Sequence, residues 1–132
     1  MKNRSFSIIL ILAILALALT ACGASKDDPE AIYWDYFQAC ENEKLIKAEE
    51  FLSPEAKSLA ETIGVCGFTH DAINSIMASQ GGVIRSFSGD PEVQVQGSSA
   101  ALTWFDNQGY LTTVFLIKIE GAWKILKTVW ST

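Results

Sequence analysis

Apolar positions along this chain follow three different rules in turn. From Ile8 to Leu19 every residue is aliphatic, so the run has neither a period nor a polar face. From Asp28 onward the spacing becomes helical. Asp28-Pro29-Glu30 offers a capping side chain, a proline suited to the first helical position and an acid at the positive helix end. Ile32, Tyr33, Tyr36, Phe37 and Cys40 then share one face, while Trp34 lies on the order of 130° from its centre. That placement leaves Trp34 to pack half-exposed against a neighbouring loop or to meet a partner or ligand. A second short helix fits "EKLIKAEEFLS", with Leu45, Ala48 and Leu52 inward. Ser53-Pro54-Glu55 repeats the starting signal and opens a third helix to Ile63, with Ala56, Leu59, Ala60 and Ile63 inward. Thr69 to Gln80 admits another helical turn or two, with Ile73, Ile76 and Met77 inward.

Past Gly81-Gly82 the period drops to two. The alternation predicts strands at Val83 to Ser88, Glu92 to Gln96, Ala100 to Phe105, Tyr110 to Ile119 and Ala122 to Trp130, joined by short Gly-, Asp- and Asn-rich turns. Such turns suit antiparallel hairpins. Helices first and strands afterwards point to an α+β fold, with N-terminal helices packed on a curved antiparallel sheet of four to five strands. The last two strands are apolar on both faces. Trp123, Ile125 and Val129 are expected to oppose Leu126 and Trp130, and the second face needs strong curvature or a second copy to cover it.

The opening run changes which residues belong to that fold. Lys2 and Arg4 precede it without an acid, and its length suits an export leader better than a spanning helix of about twenty residues. Leu19-Thr20-Ala21-Cys22 resembles the lipobox of bacterial lipoproteins. The resemblance implies cleavage before Cys22, acylation of its thiol and attachment to a membrane by two or three chains, enough for stable anchoring. Cleavage as an ordinary secretory signal near Ala18 or Ala24 is the alternative. The predicted organisation is a leader at 1–21, a lipidated Cys22 and tether at 22–28, and one domain at 29–132. Gly23 lacks the Asp of an inner-membrane retention signal, so in a two-membrane cell the outer membrane, facing the periplasm, is favoured.

Without Lys2 and Arg4 the formal charge goes from −5 to −7, and an acidic surface disfavours nucleic acid as a partner. Cys40 and Cys66 remain as an even pair in an exported chain, read first as a disulfide, with two buried free thiols as the alternative. One His and that cysteine spacing suit neither a metal site nor C-x-x-C redox chemistry, and no cofactor is expected.

Two segments carry a further resemblance. "PEAIYWDYFQACENEKLIKAEEFLSPEAKSL" and "GSSAALTWFDNQGYLTTVFLIKIEGAWKI", in that order, resemble the NTF2-like superfamily of cone-shaped α+β domains, especially its small exported lipoproteins. The stretch from Gly64 to Gln80 is longer than the general pattern. Membership implies a pocket inside the cone, used by some relatives for acid/base isomerase, dehydratase or cyclase chemistry and by others for none. The polar candidates are Tyr33, Tyr36, Asp35, His70, Asp71, Asp106 and Tyr110, and none matches a family catalytic motif. H-E-x-x-H, G-x-S-x-G, P-loop and G-x-G-x-x-G patterns are also missing from the chain. The leading expectation is a non-catalytic envelope lipoprotein binding a small apolar ligand or a protein partner, with Tyr33, Trp34, Tyr36, His70 and Tyr110 as pocket or partner residues. The alternatives are an acid/base enzyme on a small hydrophobic substrate and a homodimer through the outer sheet face.

Overall fold

A computed structural model of the chain describes residues 27–131. The leader, Cys22 and most of the tether fall outside those residues. Helices α1 (Pro29–Glu41), α2 (Leu45–Glu49), α3 (Pro54–Ile63) and α4 (Ile73–Ser79) precede strands β1 (Glu92–Gln96), β2 (Ser99–Phe105), β3 (Leu111–Ile119) and β4 (Ala122–Ser131). The strands form one antiparallel sheet in the order β1-β2-β3-β4, so the class is α+β with four strands. Among the described residues no helix is long and apolar enough to cross a membrane.

Both cap-proline signals start helices where expected. The Asp28 carboxylate accepts from the Glu30 N–H at 2.9 Å and the Ser53 hydroxyl from the Ala56 N–H at 3.1 Å. Each cap is worth about 1 kcal/mol. Ser53 also fixes the facing of α3, because the preceding chain is bonded to β4: Ser53 N–H donates to Ile125 O and Ile125 N–H to Phe51 O, both at 2.8 Å. Held there, α3 presents Ala56 and Ala60 to the core, and Leu59 and Ile63, expected inward, are 46% and 41% exposed. The helix ends at Gly64, whose φ of +86° an L-residue with a Cβ adopts only under strain.

The β3–β4 hairpin turns on two residues, Glu120 and Gly121, both at positive φ (51° and 79°), as a type I′ turn requires. Ala100, Leu102, Trp104, Val114, Leu116, Trp123 and Ile125 form the buried inner face. Further along, the expected alternation of β4 fails. Phe115 pairs with Lys127 but Leu116 pairs with Ile125, so Leu126 is an extra residue in a bulge. Beyond it Thr128 and Trp130 share the inner face with Trp123 and Ile125, while Val129 points outward and is 42% exposed.

The predicted strand at Val83 to Ser88 does not form. The Asn74 side chain takes both backbone groups of Arg85, donating to its carbonyl at 2.7 Å and accepting from its N–H at 2.9 Å. Those are groups a neighbouring strand would need. Phe87 enters the core, and Val83 and Ile84 remain 66% and 64% exposed.

Between α1 and the sheet runs an irregular strap, residues 65–70, that antiparallels α1. Tyr36 donates to Val65 O at 2.8 Å and accepts from Phe68 N–H at 3.3 Å, and Tyr33 accepts from His70 N–H at 2.8 Å. From the sheet side, the Thr128 hydroxyl donates to Phe68 O at 2.7 Å. Cys40 and Cys66 lie at disulfide distance, S–S 2.14 Å with Cα atoms 5.8 Å apart. Closing a ring of that length stabilises the fold by about 3 to 4 kcal/mol in the chain-entropy account. Tyr36→Phe keeps the ring and removes both strap bonds, so urea unfolding should show a loss of about 1–3 kcal/mol; an unchanged midpoint would mean that water already serves the strap.

Candidate functional site

Tyr33 and Tyr36 sit one helical turn apart and are both 0% exposed. Around Tyr33 gather Trp34, Phe37, His70 and Trp104. The His70 ring stacks on Trp104 with centroids 4.5 Å apart and planes at 14°, and Trp34 meets Tyr33, Phe37, His70 and Trp104 edge-on. Trp34 therefore packs into this cluster despite its angular offset, and its indole donates to Glu30 at 3.3 Å. Edge-on and offset-stacked aromatic contacts add to area burial, so the cluster is a cohesive part of the core.

Tyr33 Oη accepts from the His70 backbone N–H and also forms a hydrogen bond with His70 Nδ1, in which the imidazole tautomer decides which atom donates. Burial pushes the His70 pKa below its ordinary value, with Asp71 and the Phe87 backbone pulling partly back. Burial likewise pushes Tyr33 and Tyr36 well above the ordinary tyrosine value, and the His70 and Phe68 backbone bonds offset only part of that. Tyr33 and His70 thus meet within hydrogen-bonding reach inside solid packing. Tyr33, Tyr36 and His70 line none of the three cavities described below.

Tyr110 lies elsewhere, just before β3. The Arg85 guanidinium sits 3.2 Å above its ring centroid and pairs with Asp106 at 3.3 Å. Asp106, expected in a turn, has a side chain only 2% exposed that accepts from Gln108 N–H at 2.8 Å and Tyr110 N–H at 2.9 Å. Desolvation raises its pKa, but these two bonds and Arg85 more than offset that and hold it below the usual value. Asp35 is exposed and Asp71 half-buried. Among the described residues no group of three His, Cys, Asp or Glu could hold a metal ion.

Beside Arg85 and Tyr110 opens a cavity of about 310 Å³ between α4 and the adjoining ends of β3 and β4, walled by Ile73, Met77, Phe87, Leu111 and Trp130. A wider groove of about 780 Å³ runs on the other side of Trp130, past Cys66 and Asp71. The third, about 460 Å³, is a shallow hollow on the outside of α1 by Trp34 and Phe37. The 310 Å³ cavity has the usual make-up of a small-molecule site, mostly apolar walls with a few polar groups. Of the expected pocket residues, it contains only Tyr110. Tyr33, Trp34, Tyr36 and His70 come together as core instead.

Comparison with protein-family models, with curated proteins and with solved structures finds no match for this chain.

Arg85 and Trp130 were missed as site residues because the first sat in an expected strand and the second only in a strand row. Arg85 carried a signal: it is the one arginine between residues 27 and 131, set among the apolar Val83, Ile84 and Phe87.

Stability should report the neutral His70. Its folded pKa is below the unfolded value near 6.5, so the unfolded chain binds more protons between those two values and stability falls as pH falls through that window. Urea midpoints measured from pH 7.5 downward should show this slope, and His70→Asn should flatten it; an equal slope in both proteins would show that His70 is not its source. Tyr33 and Tyr36, raised in the fold, predict a second loss of stability as pH rises above about 10, where unfolded tyrosine ionises.

Proposed function

We propose that the chain is an exported lipoprotein, held to the envelope through Cys22, whose domain is an NTF2-like cone that binds a small apolar ligand without transforming it. The leader and the Leu19-Thr20-Ala21-Cys22 box support the anchor. Helices on one face of a four-stranded antiparallel sheet, in the order expected for such a cone, support the fold reading. The observation that carries the binding reading is the apolar cavity between α4 and the ends of β3 and β4. The Tyr33–His70 pair, the best acid/base candidate, is buried in the aromatic packing and lines none of the three described cavities, which weighs against the enzyme alternative.

Self-association through the outer sheet face is a second reading favoured by its exposed apolar side chains. Phe105 and Val129 are 52% and 42% exposed there, with Phe115 and Ile117 half-buried beside them. Glu92 lies toward one margin of that face and Lys124 and Lys127 toward the other, so a copy turned about an axis along the strands brings opposite charges together.

N-Phenyl-1-naphthylamine, a neutral fluorescent probe, should bind the domain, and Met77→Trp should weaken it about tenfold by filling the cavity while helix and sheet content stay unchanged. Equal binding by both proteins would place the probe elsewhere. Intact mass of the membrane fraction should give a chain beginning at an acylated Cys22; an unlipidated chain starting elsewhere would overturn the anchor.

A further inference from the structure

The groove of about 780 Å³ lies across Trp130 from the apolar cavity and has no part in the binding proposed above. Its lining is assembled from the ends of elements. Glu41 closes α1, Thr62 and Ile63 close α3, the chain from Gly64 to Gly67 carries on into the strap, and Asp71 stands just before α4. Two helix C-termini therefore meet at one opening. A helix C-terminus carries a partial negative charge that a Lys, Arg or His in the last turn can balance, and neither α1 nor α3 has one. Glu41 instead adds a full negative charge to the end of α1. The positive helix end at the groove belongs to α4, which is seven residues long and has Asp71 set before it. The ion pairs among the described residues use Asp27 and Asp106, so Glu41 and Asp71 are left without a cation, and none of the residues lining the groove is Lys, Arg or His. The rest of the lining is largely apolar: Leu45, Ile63 and Ile76 are exposed and Trp130 is half-buried. The outward facing of Ile63 on α3 thus supplies one wall.

We infer that this groove binds an amphiphilic organic cation, an ammonium group on an apolar body, with the ammonium at Asp71 and the body against Ile63, Ile76 and Trp130. A cleft lined by one sign of charge with apolar walls focuses its field and concentrates ligands of the opposite sign. Asp71 is half-buried and so less screened than the exposed Glu41, which makes Asp71 the anchor and Glu41 the group that draws the cation in. An anion of the same shape is repelled, and a neutral molecule leaves the two carboxylates and two helix ends without a partner. The volume lies within the range of small-molecule sites. Charge also separates this ligand from that of the smaller cavity, where the charged wall residue is Arg85.

The test uses 4-phenylbutylamine, 4-phenylbutanol and 4-phenylbutyrate, which share one skeleton and are cationic, neutral and anionic at pH 7. Affinities are read from the backbone amide resonances of Gly64 and Gly67, which line the groove and not the smaller cavity. At low salt the amine should bind about tenfold more tightly than the alcohol and the acid more weakly than either, and added salt should shrink the gap. Asp71→Asn should lower the amine close to the affinity of the alcohol and leave the alcohol where it was. Glu41→Gln, at an exposed position, should remove a smaller part of the preference. Equal binding of amine and alcohol by the intact protein, or no binding of the amine, overturns the inference. So does a preference that survives Asp71→Asn and Glu41→Gln together. Amine-induced shifts centred on Tyr110 and Leu111, with Gly64 and Gly67 still, would overturn it by placing the amine in the smaller cavity.

Discussion

Irregular backbone buried between a helix and a sheet is tolerable only if its peptide groups find partners, and the strap at residues 65–70 finds them in side-chain hydroxyls. Tyr36 serves Val65 and Phe68, Tyr33 serves His70, and Thr128 reaches Phe68 from the sheet. Thr69 closes the set by donating its own hydroxyl to Cys66 O at 3.3 Å. Tyrosine suits this role because its ring fills the core while its oxygen, at the far tip, both donates and accepts. The Cys40–Cys66 link pins the other end of the strap to the same helix face. Three attachments along α1 thus set where α4 begins, and so where the cavity opens.

The same constraint divides the aromatic residues by role. Tyr33, Tyr36 and His70 are committed to the strap, and their shifted pKa values follow from that burial and need no catalytic explanation. Perturbed titration alone is an ambiguous sign of function, since structural burial produces it too. The cavity lies farther along the sheet, where Arg85, Asp106 and Tyr110 engage one another and Trp130 forms a wall.

Local chemistry was legible in the chain wherever one residue decides one event. Asp28-Pro29 and Ser53-Pro54 start helices, Glu120-Gly121 turns a hairpin, and the ladder of antiparallel strands follows from the short connections. What escaped prediction depends on contacts distant in sequence. The outward facing of Leu59 and Ile63 is imposed by the Ser53 bond to β4, and the irregular course of Val83 to Ser88 by the side chain of Asn74. The bulge at Leu126 reversed the facing of Val129 without any Gly or Pro to mark it. Trp34 was placed correctly by angle on α1, yet a large ring reaches around the helix and joins the cluster from its side. Of the site, Tyr110 was anticipated, whereas Arg85 and Trp130 acquire their meaning only from what stands opposite them.

The most direct measurement follows the four indole N–H resonances in a ¹H–¹⁵N spectrum while N-phenyl-1-naphthylamine is added. Trp130 is a wall of the cavity, and Trp34, Trp104 and Trp123 are not. The Trp130 signal should move as the probe's rings enter beside it, while those of Trp34, Trp104 and Trp123 stay in place. Movement centred on Trp34 or Trp104, with Trp130 still, would contradict the ligand-binding cavity by putting the working site at the aromatic cluster.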